Sequence, residues 1–170
     1  AVLSLAWNPA AAQSSGTSSP PTRAPNCEAP EHRQFDFWIG EWDVLSPTGA
    51  PLGKNTITRI LKGCVLQENW TGQGGGSGTS FNKYDPRDRK WHQSWVDDSN
   101  GFLLLSGGLD GGAMRFTGEM PSGTGGTIMH RLSFTRVGGS PERVRQFWET
   151  STDNGKTWTV AFDGTYVRRR

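Results

Sequence analysis

At 170 residues the chain has the length of one domain. Its 18 basic and 16 acidic residues leave a net charge of +2, too balanced for nucleic acid or an anionic membrane surface as partner. Hydrophobic residues are 33% of the chain, but 23 glycines and eight tryptophans keep the composition globular and favour an all-β protein. Turns consume the glycines and large rings fill the interior.

Residues 1–12 read as the remnant of a signal peptide. Ala1 to Trp7 is apolar, Ala10-Ala11-Ala12 follows, and cleavage is expected after Ala12. The apolar run is too short to span a bilayer. Residues 13–30 are rich in Ser, Thr, Pro and Ala and hold almost no large apolar side chains. Such a segment cannot bury enough surface to offset its ordering entropy, so it reads as a disordered tether. Cys27 and Cys64 are the two cysteines. In an exported chain they are expected to form a disulfide joining the end of the tether to the early barrel. These features together imply a periplasmic or secreted protein.

Residues 31–170 form the expected folded domain. Pro30 precedes Glu31-His32-Arg33-Gln34, and proline suits a helix start, so a short N-terminal helix is expected over 31–38. From Glu41 onward, breaks rich in Asp, Asn, Gly and Pro divide the chain into about ten strand candidates. These are 41–46, 53–61, 63–71, 79–84, 90–97, 102–108, 113–119, 127–136, 142–150 and 157–167. Regular short strands with turn signals suggest a β-sandwich or a β-barrel, and the lack of crossover helices points to antiparallel pairing.

Two turn segments invite sharper readings that fail on inspection. Gly72-Gln73-Gly74-Gly75-Gly76-Ser77-Gly78 has no following Lys-Ser/Thr and opens no helix, so it is a hairpin loop and not a phosphate loop. Ser151-Thr152-Asp153-Asn154-Gly155-Lys156-Thr157-Trp158 fits the S-x-D-x-G-x-x-W turn, the Asp box, whose role is structural. Arg168-Arg169-Arg170 is the one dense basic run and reads mostly as a solvated chain end.

Gly40-Glu41-Trp42, at the first strand, is a G-x-W motif. It resembles the motif by which lipocalin-like barrels, the calycins, close the barrel floor. That resemblance implies that Trp42 is packed under a late basic residue, here Arg168, a pairing with a cation–π rationale. The wider segments Phe35 to Val44, Gly63 to Trp70, Trp91 to Asp97 and Arg145 to Ser151 resemble a family of uncharacterised exported bacterial proteins with a lipocalin-like fold. With the ten strand candidates, the resemblance implies an all-β, antiparallel up-and-down lipocalin-like barrel of about ten strands and an exported setting, and brings no reaction with it. A more distant likeness is to haem-binding ten-stranded barrels of the nitrobindin kind. Those place a histidine ligand late in the chain, and no histidine follows His130 here, so no cofactor is expected.

The chemistry-bearing pattern is a repeat. Glu68-Asn69-Trp70, Gln93-Ser94-Trp95 and Gln146-Phe147-Trp148 each set a carboxyl or amide two residues before a Trp. Residues i and i+2 of a strand share a face, so each polar group lies beside its indole. If the rings point inward, the barrel holds Glu68, Trp70, Gln93, Trp95, Gln146 and Trp148 in one cavity. Such a set suits a planar aromatic ligand or a sugar face. The alternative is that the rings fill the core and the polar partners satisfy the indole N–H groups. His92 has the opposite parity to Trp91, Gln93 and Trp95 and should face outward. His130 lines the interior if Ile128, Leu132 and Phe134 are the inward set. Three scattered histidines give no metal site.

Three functions stay open at this stage. The first is a small-molecule-binding barrel. The second is a barrel enzyme for proton transfer or hydrolysis, with Glu68 and His130 as its catalytic candidates. The third is a filled barrel that acts as an envelope interaction module.

Overall fold

The computed structural model describes residues 27–123, 125–138 and 142–169. The signal remnant at 1–12 and the tether up to residue 26 lie outside the described residues, as does Arg170. Ten strands follow one another: β1 (Gly40–Leu45), β2 (Pro51–Ile60), β3 (Val65–Gly72), β4 (Ser77–Asp85) and β5 (Lys90–Asp97). Then come β6 (Phe102–Asp110), β7 (Ala113–Pro121), β8 (Thr127–Val137), β9 (Arg143–Ser151) and β10 (Thr159–Arg168). Each pairs antiparallel with its neighbour in sequence, and β1 pairs with β10 to close the barrel. The fold is all-β, as the turn spacing predicts. Closure leaves no open sheet edge. No described helix is long and apolar enough to cross a membrane.

The expected N-terminal helix is two short 3-10 turns, Pro30–Arg33 and Asp36–Trp38. Neither is long enough to be an α-helix, and their work is to drive three large rings into one end of the barrel. Phe35, Phe37 and Trp38 are buried there. Phe35 stacks on Trp38 at 4.8 Å and meets Trp91 and Phe134 edge-on. Each fully buried phenylalanine contributes roughly 1.5–3 kcal/mol, so this plug is a large share of the core.

The plug continues into β1. Trp42 is fully buried, and its indole N–H donates to the Trp38 carbonyl at 2.9 Å. In the β1–β10 ladder Trp42 lies opposite Arg168. The Arg168 guanidinium rests 4.3 Å from the Trp42 ring centroid and donates to the Ile39 carbonyl at 3.1 Å. The motif glycine has a physical reason as well: Gly40 has φ +142°, and a Cβ there would overlap the Arg168 guanidinium.

The disulfide joins Cys27 to Cys64 across a sequence separation of 37 residues. Arg33 reinforces it, donating to the Cys27 carbonyl at 2.8 Å and to the Gly63 carbonyl at 3.5 Å. The chain is therefore already fastened to the barrel at Cys27. On the outer wall, Arg131–Glu149 and Arg145–Asp163 pair across neighbouring strands; exposed pairs of this kind add little stability.

Candidate functional site

Inward-facing side chains divide the barrel into two levels. At the plugged end the interior is aromatic and closed, with Trp38, Trp42, Phe116 and Phe134 almost fully buried. Toward the other end, a cavity of about 290 Å³ stays open. Its wall contains Glu68, Trp70, Gln93, Trp95, Gln146 and Trp148, with Asp97, Leu103, Leu132, Phe162 and Tyr166. All six Glu/Gln-x-Trp residues thus face one space, as their shared strand faces predict, and at this level the interior is not filled.

The polar members form one connected network between the cavity and the aromatic plug. Gln93 Nε2 donates to Asn82 Oδ1 at 2.8 Å, and Asn82 Nδ2 donates to Ser80 Oγ at 2.9 Å. Ser80 donates to Glu68 Oε2 at 2.6 Å. From the other side, Asn55 Nδ2 donates to Glu68 Oε1 at 2.6 Å and to the Tyr166 hydroxyl at 3.2 Å. Tyr166 in turn donates to Gln146 Oε1. The path therefore runs across β5, β4, β3, β2, β10 and β9. Networks of this kind hold side chains in fixed orientation, here with Asn55 Oδ1 left buried without a donor.

Glu68 sits at the centre, buried, and among the described residues no cation stands beside it. Burial pushes its carboxyl up to about 7, and the hydrogen bonds from Ser80 and Asn55 only partly oppose this. Burial also raises the Tyr166 phenol well above its ordinary value, helped by the nearby Glu68 charge. At the other end of the cavity wall, burial would raise Asp97. The Trp95 indole N–H, the Gly101 and Ser99 amides and the Ser99 hydroxyl outweigh burial and hold Asp97 at about 2. Asp97 is thus ionised at neutral pH.

The indoles are placed by glycines on neighbouring strands. A Cβ at Gly53 would sit 2.7 Å from Trp70 Cη2 and Cζ2, and a Cβ at Gly78 would lie 2.5 Å from Trp95 Cη2. Each ring occupies space that a side chain at the glycine would fill. Trp70 also meets Phe162 edge-to-face at 6.0 Å. The indole N–H groups of Trp95 and Trp148 do not use the Gln two residues earlier. Trp95 Nε1 donates to Asp97 Oδ2 at 3.0 Å, and Trp148 Nε1 donates to His130 Nδ1 at 3.1 Å.

His130 shares the inward face of β8 with Leu132 and Phe134 and is 6% exposed. Since Nδ1 accepts from Trp148, the neutral ring carries its proton on Nε2, which has no partner. Burial lowers its basicity, keeping the ring neutral. Among the described residues no hydrogen bond joins His130 to Glu68: their partners are Trp148 on one side and Asn55 and Ser80 on the other. His92 faces outward, as its parity requires, and pairs with Asp88 at 2.9 Å. The Asp box is a turn brace: Asp153 accepts from Thr157 and Ser151, and Trp158 bonds the Gly155 carbonyl.

Asn55, Ser80, Asn82, Tyr166, Asp97 and Phe162 escape a reading based on the Glu/Gln-x-Trp repeat. A signal did exist for two of them: Ser80-Phe81-Asn82 alternates small polar with large apolar within a strand. No protein-family model and no curated protein matches the chain.

Proposed function

We propose that this protein is an exported barrel that binds a small molecule in the cavity between its three paired indoles. The observation that supports this reading is the open cavity itself. It sets Trp70, Trp95 and Trp148 around Glu68, Gln93 and Gln146, whose network holds them in place. Its volume of about 290 Å³ is close to the lower limit of ligand pockets, roughly 300–1,000 Å³, so the ligand is small. The disulfide supports the exported setting, since such bonds persist in oxidising compartments. An exported barrel is also what the resemblance of its opening motif to exported lipocalin-like proteins implies.

A binding role fits the site better than catalysis. Glu68 has the proton affinity of a general acid or base, but the two catalytic candidates are not joined, and Ser80, its hydroxyl neighbour, is fully buried below it. The test is a titration of tryptophan fluorescence with a panel of small molecules. Trp95→Ala and Gln146→Ala should each weaken binding about tenfold or more while the protein stays folded, the loss expected for a buried aromatic or polar contact. Unchanged affinity in both variants would put the site elsewhere.

A further inference from the structure

The cavity has a charge pattern that narrows the ligand further, granted that it binds one. Among the described residues, Glu68 and Asp97 are the ionisable carboxyls on its wall, and no Lys, Arg or His lines it. Around them stand Trp70, Trp95, Trp148, Phe162 and Tyr166. Elsewhere in the described residues, arginine guanidinium groups cover ring faces: Arg168 on Trp42, Arg131 on Trp158, Arg136 on Phe37 and Arg145 on Phe147. None of the cavity's rings is covered in this way. The site therefore offers negative ring faces and carboxyl charge to a cation that none of the described residues supplies.

The hydrogen-bond inventory identifies the type of cation. A primary ammonium brings three N–H donors and needs acceptors for them. Here the acceptors are largely engaged. On the wall each Glu68 oxygen already takes one donor and Gln146 Oε1 takes the Tyr166 hydroxyl, which leaves Gln93 Oε1, whose amide nitrogen donates to Asn82, as the one amide oxygen there without a donor among the described residues. Asp97 already accepts from Trp95, Ser99 and Gly101. A fully alkylated ammonium brings no donors, wants apolar contact around its positive charge, and is drawn to ring faces. We infer that the cavity recognises a small molecule with a quaternary ammonium head, seated among Trp70, Trp95 and Trp148 with Glu68 and Asp97 as its counter-charges.

The test compares choline with 3,3-dimethylbutan-1-ol, its uncharged isostere, by isothermal titration calorimetry at pH 8, with tetramethylammonium as the head group alone. Choline should bind on the order of tenfold or more tighter than the isostere, the preference expected from cation–π attraction in a desolvated site. Trp95→Leu should remove most of that preference while keeping affinity for the isostere, since leucine retains apolar contact without a ring face. Near pH 7, binding should release protons, read from the dependence of the heat on buffer, because a cation beside Glu68 favours its ionised form. Glu68→Gln should abolish that release. Equal affinity for choline and the isostere would overturn the cation reading and leave the binding reading intact. So would the absence of choline binding while neutral aromatic fragments bind. Failure of every probe, charged and neutral, would sink both.

Discussion

Replacing Glu68 by Gln removes a carboxyl whose proton affinity burial drives to about 7, against an ordinary value of 4.5. Between these values the folded chain keeps a proton that the unfolded chain has lost, so this group makes stability fall as pH rises. At about 1.4 kcal/mol per pH unit the fall amounts to about 3 kcal/mol and is complete above pH 7. Below pH 4.5 both states hold the proton and the effect vanishes. Other groups act in the opposite sense. His32 and His130, which burial makes less basic, cost stability as pH falls through the histidine range. Asp97 and Asp153, held at about 2, cost stability only below their ordinary 3.8. All of these are shared by both proteins, so the difference between wild type and Glu68→Gln isolates the one carboxyl. The glutamine amide can accept from Asn55 through its oxygen and donate to Ser80 through its nitrogen, which preserves the network's shape. Guanidinium denaturation from pH 4.5 to 8 is the assay. The stability of wild type relative to the variant should decline by about 3 kcal/mol across this range, with the midpoint of the change between the two titration values. A constant difference across the range would refute the buried, cation-free placement of Glu68.

Gly78→Ala should destabilise the barrel by about 1–3 kcal/mol, the cost of overpacking, because its Cβ would overlap the Trp95 ring. In a Trp95→Ala background the same change should cost almost nothing, as thermal denaturation of the four proteins of this cycle will show. Replacing both cysteines by serine should cost about 4 kcal/mol, the loop-closure value for a separation of 37 residues, measured by chemical denaturation of the oxidised wild type against the variant.

The strand pattern was legible because its turns carry their own chemistry. Asp98-Ser99-Asn100-Gly101 and Asp153-Asn154-Gly155 punctuate the chain at hairpin spacing, and the strands between them needed only to alternate. The G-x-W opening was legible for a similar reason, since Gly40, Trp42 and Arg168 each have a local steric or electrostatic requirement. Parity along single strands placed the six Glu/Gln-x-Trp residues on one face. What escaped depends on relations between strands. Asn55 reaches Glu68 through the β2–β3 register and Tyr166 through the β1–β2 and β1–β10 registers together. Gly78 and Gly53 look like turn and strand-breaking glycines in sequence, yet they are the diagonal neighbours on which Trp95 and Trp70 lie. Asp97 reads as a turn residue and is one, but its carboxylate also takes the Trp95 indole. Whether the interior is open or filled is a matter of packing volume, to which alternation is blind.

The eight tryptophans make the central claim testable by one measurement. In a two-dimensional proton–nitrogen NMR spectrum each indole N–H is a separate probe, and three of them, Trp70, Trp95 and Trp148, line the cavity. On titration with choline and with a mixture of small neutral aromatic fragments, the account predicts saturable shifts at these three indoles. Trp38, Trp42, Trp91 and Trp158, in the plug and on the outer turn, should stay in place. Shifts confined to those four, or no shift at any indole with either kind of probe, would contradict it.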